Sequence, residues 1–272
     1  VDTEVYGNVG KSLSTGFDGN FAYKQMLGPV QMTIRGNITY SYNEVLEKDD
    51  EYSAYPYQME KGYRINQAKG LIALGLFEDY DDIRQSPKQT FGTYQPGDIK
   101  YKDVNGDGVI DEGDYVAIGA TTVPSLIYGA GIAFNWKGLE LNLHFQGAGK
   151  SSFFINGPSV YAFSNGAQGN ILKAIAESDR WIDESISGTS ATMNPDAEYP
   201  RLSFGGNENN YRPSTFWLRD GSYLRLKTLE LAYTLPKKYS NAAKMSDVRF
   251  FLMGSNLLTF SKFKLWDPEL GS

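Results

Sequence analysis

Residues 103–114 read Asp-Val-Asn-Gly-Asp-Gly-Val-Ile-Asp-Glu-Gly-Asp, a dense run of hard oxygen donors. Asp103, Asn105 and Asp107 stand at positions one, three and five of a twelve-residue loop of EF-hand type, and Gly108 takes position six, where such a loop turns sharply. Val109 would ligate through its backbone carbonyl and Ile110 would point into an apolar base. Asp111 would act directly or through water, and Asp114 takes position twelve. Position twelve more often carries a bidentate Glu, so the shorter Asp weakens the coordination. This donor set suits Ca²⁺ better than Mg²⁺, which demands stricter octahedral geometry. The competing reading uses the same residues as Asx turns, with carboxylates capping backbone amides and no metal. No helical pattern flanks the loop, so a bound calcium would serve to pin a long connection.

Other chemistry is sparse. His144 is the only histidine, and it lies between Asn142 and Gln146 on the polar side of an alternating segment. A surface or lumen-lining role fits it better than a catalytic base. The run Glu78-Asp79-Tyr80-Asp81-Asp82 reads as a solvated loop rather than a carboxylate pair. With no cysteine and one histidine, thiol and zinc hydrolases lack their usual groups. The 32 Asp plus Glu leave a two-carboxylate glycosidase open, but no spacing nominates a pair. The net charge of -6 argues against nucleic acid as a partner. Trp136, Trp181, Trp217 and Trp266 could stack on sugars. Tyr40, Tyr42, Tyr128 and Trp136, at strand ends, read more simply as membrane-interface aromatics. Trp181 and Trp217 lie in or beside a long connection, where a binding role is more open.

The elements that position these residues are strands. From Val30 to Asn43 the alternation has no error: Val30, Met32, Ile34, Gly36, Ile38, Tyr40 and Tyr42 share one face, and Gln31, Thr33, Arg35, Asn37, Thr39, Ser41 and Asn43 the other. Phe17 to Tyr23 repeats the pattern, with 24–29 as the turn between the two. Leu126 to Trp136 and Leu139 to Phe145 form a hairpin about Lys137-Gly138. Leu229 to Leu235 and Val248 to Leu252 follow, joined by 236–246. A membrane-crossing strand needs about nine to eleven residues. The connections at 44–125 and 149–222 are very long, whereas those at the opposite ends are short, as in an outer-membrane barrel. Parts of 62–77 and 98–102 could pair as further strands, each crossing once. One helix is predicted at 169–186, with Ile171, Leu172, Ile175 and Trp181 on one side. No run of 18 apolar residues occurs, so no transmembrane helix is expected. No Gly-rich phosphate loop occurs either.

The run Gly97-Asp98-Ile99-Lys100-Tyr101-Lys102-Asp103-Val104-Asn105-Gly106-Asp107-Gly108-Val109-Ile110-Asp111 is similar to a signature of SusC/RagA-type TonB-dependent outer-membrane transporters. So are Ile118-Gly119 through Pro124, Tyr128-Gly129, and the arm from Gly138 to Gln146-Gly147. The same holds for Asp179-Arg180-Trp181 with Tyr199-Pro200-Arg201, for Leu218 to Lys227, for Tyr233-Thr234-Leu235-Pro236, and for Ser255-Asn256-Leu257-Leu258-Thr259. The matches run in order along nearly the whole chain. The resemblance implies an all-β fold: an antiparallel transmembrane β-barrel segment, part of a barrel of about 22 strands. Long extracellular loops at 44–125 and 149–222 and one short loop helix complete it. It implies import of glycan oligomers or peptides, energised by the TonB complex, with a SusD-like surface lipoprotein as partner, in the outer membrane of a Gram-negative bacterium. No enzymatic activity is implied. No N-terminal plug, TonB box or final aromatic-terminated strand is recognised, so residues 1–272 read as a C-terminal barrel portion truncated at both ends. Such a portion would not transport alone, and no substrate residue can be assigned. The rival class is a secreted, soluble, calcium-stabilised β-sandwich that binds carbohydrate.

Overall fold

The computed structural model describes residues 7, 9–50, 55–164, 169–242 and 244–270. Six long strands form one sheet: Lys11–Leu27, Val30–Glu47, Leu126–Trp136, Leu139–Gly149, Tyr223–Thr234 and Arg249–Ser261. Each pairs antiparallel with the next in chain order, without a crossover. Register carries each face across the sheet, although the last strand adds Phe251 and Met253 to the otherwise polar face. Phe21, Gly36, Ala130, Phe145, Leu226 and Leu258 lie in one row. Ala22, Arg35, Gly131, His144, Thr228 and Ser255 lie in a neighbouring row on the opposite face. A one-residue slip would exchange the two sets, so the alternation itself holds the register.

The first short connection is shorter than the sequence suggests. The first strand runs on to Leu27, and only Gly28-Pro29 turns. At the hairpin both turn residues have positive φ, 49° at Lys137 and 87° at Gly138, which matches the twist of the flanking strands. The connection after Thr234 carries a helical turn at Lys237–Ala242.

The apolar face is uncovered. Phe21 is 62% exposed and Leu252 is 70% exposed. The buried core lies elsewhere, in the two long connections. Leu71, Phe91, Ile99, Tyr101, Ile110, Phe153, Ile155, Ile175, Trp181, Tyr199 and Trp217 pack together with Phe263 from the chain's end. The long connections therefore fold into a cap with its own interior. Short ladders brace it: Ala73–Leu76 with Ile99–Tyr101, Lys69–Gly70 with Val116–Ala117, and Ser152–Phe154 with Leu218–Asp220. The expected extra crossings at 62–77 and 98–102 are thus corrected. The segments do pair, but with three or four residues they are far below membrane length.

The single helix predicted at 169–186 is also corrected. Two one-turn helices occur, Lys173–Ala176 and Glu184–Ser187. Between them the Trp181 amide donates to the Tyr199 carbonyl (3.0 Å), and the Tyr199 amide donates to the Asp179 carbonyl (3.2 Å). This exchange holds residues 179–181 extended and takes Trp181 into the core. A further short helix, Tyr80–Gln85, is capped by Asp79, whose carboxylate accepts from the Asp82 amide. The Glu78–Asp82 run therefore builds a helix start.

Candidate functional site

Residues 103–114 fold with the turn the spacing requires. Gly106 and Gly108 take positive φ (79° and 84°), and Ile110 is fully buried as the apolar base. Each donor side chain also closes the loop on itself. The Asp103 carboxylate accepts from the amides of Gly106 (2.6 Å) and Gly108 (2.8 Å). Asn105 Oδ1 accepts from the Asp107 amide (2.9 Å), Asp107 Oδ1 from the Val109 amide (2.8 Å), and Asp111 Oδ1 from the Gly113 amide (2.6 Å). Asp114 is fully buried, with Oδ1 accepting from the Val104 amide (2.7 Å) and Oδ2 from the Asp111 amide (2.9 Å). It is thus bound to backbone on both oxygens. Among the described residues no three His, Cys, Asp or Glu side chains converge as a metal cage. The residues fit a self-capped loop, and their fit to calcium rests on donor type and spacing.

Sequence reasoning missed the polar centre of the cap. Asp98 is fully buried. Its carboxylate accepts from Arg201 Nη2 (3.1 Å), Asn207 Nδ2 (2.9 Å), Asn210 Nδ2 (2.9 Å) and the Gln95 amide (2.8 Å), and Arg201 Nε lies in ion-pair contact at 2.8 Å. Asn210 Oδ1 accepts from the Ile99 amide (2.9 Å), and Trp217 Nε1 donates to the Asn210 carbonyl (2.6 Å). Gln89, also buried, bridges the Ile99 carbonyl, the Tyr101 amide and Asn209. Residues of the first connection are thereby locked to residues over 100 positions later. Gly97, at φ 84°, lies against the Trp181 ring, where a Cβ would meet ring carbons at 2.4 Å. The Tyr101 hydroxyl, buried against Asn209, has its pKa driven well above the usual phenol value by desolvation. Partial burial opposes ionisation of Asp82, but the Lys100 ammonium at 2.6 Å and the Glu78 amide outweigh it and hold the carboxyl below its usual range.

This hub assigns the aromatic residues. Trp181 and Trp217 are 3% exposed, so the open binding role suggested for them is corrected: both are core. Trp266 packs edge-on against Phe263. Trp136 lies exposed on the apolar face at the short-turn end, with Lys137 Nζ 5.6 Å from its ring centre. Tyr40 and Tyr128 lie on the same face near the cap.

The opposite face of the wall is polar. Asn20, Thr33, Arg35, Asn37, Asn142 and His144 line an open hollow of about 690 Å³. His144 is exposed there, in register with Gly131 and Thr228. Near the short turns, Arg249 lies between Glu140 (3.0 Å) and Glu230. One sheet thus presents an uncovered apolar surface and a largely polar one, with a folded cap at one end.

No protein-family model matches the chain. It is 31% identical over 203 residues to the TonB-dependent receptor P26 of Formosa agariphila, covering 74% of this chain and 19% of that protein. The chain belongs to the TonB-dependent receptor family. The receptor P3 of the same organism is 28% identical over 178 residues, 65% of this chain and 16% of P3. The chain therefore spans about a fifth of the length of the curated relatives it matches. Among solved structures it is similar to the RagAB peptide transporter, with a TM-score of 0.71 and 22% identity over 97% of this chain and 27% of that one. RagAB in its open-open state gives a TM-score of 0.68 over 98% of this chain and 27% of that one. These matches bear out the resemblance to TonB-dependent receptors and the all-β barrel segment. They set aside the soluble sandwich. TonB-dependent receptors are transport proteins rather than enzymes, which agrees with the scarcity of catalytic groups.

Proposed function

We propose that this receptor chain forms part of the wall of an outer-membrane barrel in a Gram-negative bacterium. The barrel would import glycan oligomers or peptides, driven by the TonB complex and assisted by a SusD-like surface lipoprotein. One observation carries this: the uncovered apolar face spans six strands and is bounded by aromatic residues at both ends. Tyr40 is paired with Leu126, ten residues from Trp136. At about 3.3 Å per residue and a tilt near 40° this gives a band roughly 25 Å tall, the apolar height of an outer-membrane barrel. The polar face would line the aqueous lumen, and the cap would lie outside the cell.

The test exploits the absence of cysteine. Single cysteines are placed at Ile132 and Asn142, on neighbouring strands and opposite faces, in outer membranes from cells producing the protein. A water-soluble maleimide should label Asn142→Cys and spare Ile132→Cys. Equal labelling of both would refute the assignment of the faces. Ile132→Arg should in addition cost about 2–4 kcal/mol, as a charge on the lipid side near mid-membrane does.

The calcium reading of residues 103–114 is carried as a second proposal, supported by Asp103, Asn105, Asp107, Asp111, Asp114 and the Val109 carbonyl as donors of suitable type and spacing. Calorimetric titration with Ca²⁺ should give heat that Asp107→Ala abolishes. No heat from the unaltered protein would leave the self-capped loop as the whole account.

A further inference from the structure

We propose that Lys150 and Arg64, seated on Tyr40 and Tyr42 at the cap end of the lipid-facing surface, bind the phosphate of a membrane lipid headgroup. The proposal rests on the membrane reading above and extends it.

Tyr40 and Tyr42 are two residues apart on the apolar face, about 7 Å along the strand. Lys150 Nζ lies 4.7 Å from the Tyr40 ring centre, and the Arg64 guanidinium 5.3 Å from that of Tyr42. Both cations are held by backbone. The segment carrying Arg64 is laced to the end of the strand by bonds from the Gly62 amide to the Val45 carbonyl (2.8 Å), from the Val45 amide to the Tyr63 carbonyl (2.9 Å), and from the Ile65 amide to Asn43 Oδ1 (2.8 Å). Ser125 joins the two sites. Its hydroxyl accepts from Arg64 Nη1 (2.5 Å), and its amide donates to the Lys150 carbonyl (3.4 Å).

Neither cation has an ion-pair partner among the described residues, and Arg64 Nε is buried without a hydrogen-bond acceptor. Glu44, the next residue outward on that face, pairs with neither. Two other arginines of the wall contrast with this. Arg225 is neutralised by Asp267 and Glu269, and Arg249 by Glu140 and Glu230. Two unneutralised cations over aromatic rings, at the level where acyl chain gives way to headgroup, form a site for an anion. The planar guanidinium suits a phosphate, with the ammonium as a second point charge. The anion present at that depth is a lipid phosphate.

The experiment uses the receptor purified from outer membranes into detergent micelles. Micelles are doped with diphosphoryl lipid A or with an uncharged, phosphate-free glycolipid, and retained lipid is counted by native mass spectrometry. The unaltered protein should retain lipid A and not the uncharged glycolipid. Arg64→Gln with Lys150→Gln should lower lipid A retention at least tenfold, while Lys137→Gln at the opposite rim should not. Lys150→Gln alone, an exposed substitution, should give a partial loss and secures the test if the double variant folds poorly. Undiminished retention in the double and single variants, or equal loss on Lys137→Gln, would overturn the site. Displacement by inorganic phosphate at matched concentration would assign the site to a free anion and overturn the lipid. Membrane fractionation separates the two levels. Absence of the unaltered protein from the outer membrane fails the membrane reading, whereas its presence with unspecific lipid retention fails this site alone.

Discussion

Asp98→Asn tests whether the cap is held by its polar centre. The carboxylate is fully buried, receives four hydrogen bonds and is ion-paired with Arg201, whose side chain is 20% exposed. The amide keeps the volume but removes the charge, and it turns a donor toward Asn207, Asn210 or Arg201. The guanidinium is then left largely buried beside a neutral group. Breaking a buried ion pair by removing one partner costs about 3–5 kcal/mol. At about 1.4 kcal/mol per tenfold, opening of the cap should become roughly 10² to 4 × 10³ times more frequent. Hydrogen exchange on outer membranes should show this in peptides from 70–110 and 195–220, with 126–149 and 223–234 unchanged. The second half of the test is non-additivity. Arg201→Gln added to Asp98→Asn should cost much less than Arg201→Gln alone, because the stranded charge is gone. A change under about fivefold, an equal change in the wall peptides, or strict additivity would refute the reasoning.

Three further outcomes follow from particular contacts. Gly97→Ala places a methyl against the Trp181 ring at a left-handed backbone position, so it should loosen the same cap peptides by about 3 kcal/mol or more, read by hydrogen exchange. His144→Gln should leave stability within about 0.5 kcal/mol, measured by heat denaturation of the purified receptor, because the ring is exposed and has no ion-pair or hydrogen-bond partner among the described residues. Asp267 is held below its usual carboxyl range by its hydrogen bond to Arg225 and by the Glu269 amide. A depressed carboxyl contributes stability that is fully present above about pH 4 and lost as pH falls through its lower folded value. Trp266 fluorescence, with Trp266→Phe as the blank, should therefore stay flat from pH 8 to about 5 and change only in stronger acid, and Asp267→Asn should remove that acid step.

The wall was readable because a strand announces itself locally. Val30 to Asn43 carries the two-residue period in full, and Lys137-Gly138 marks its hairpin within two residues. Each face then follows from parity, which register must respect. The cap was not readable in this way. Asp98 meets Arg201, Asn207 and Asn210 across more than 100 residues, and no period connects them. Nothing in the run Asn207–Asn210 marks it in the sequence as the partner of a buried carboxylate. Trp181 misled for a related reason. With Ile171, Leu172 and Ile175 it fits a helical stripe, and it does become buried, but through the extended exchange with Tyr199. The loop at 103–114 is a third case. Calcium ligation and Asx capping require the same residues at the same spacing, so the sequence alone leaves both open.

The chain thus answers to two solvents. In the wall, Phe21, Ile38, Leu231 and Leu252 face outward uncovered, and under the proposed membrane placement their favourable burial would come from lipid rather than from other residues of the chain. In the cap, Leu71, Ile99, Ile155 and Trp217 are buried against one another, as in a water-soluble domain. The same substitution type should therefore fail differently in the two places. A large-to-small change such as Ile155→Ala leaves a cavity and should cost about 2–5 kcal/mol in any medium. Leu231→Ala leaves no cavity among neighbouring side chains, because that side chain is 43% exposed on the uncovered apolar face. Its cost should be smaller and should depend on the acyl environment. Comparing the two variants in detergent and in bilayers would separate packing within the chain from packing against lipid. Equal costs in both media for Leu231→Ala would mean that its face is covered by protein after all.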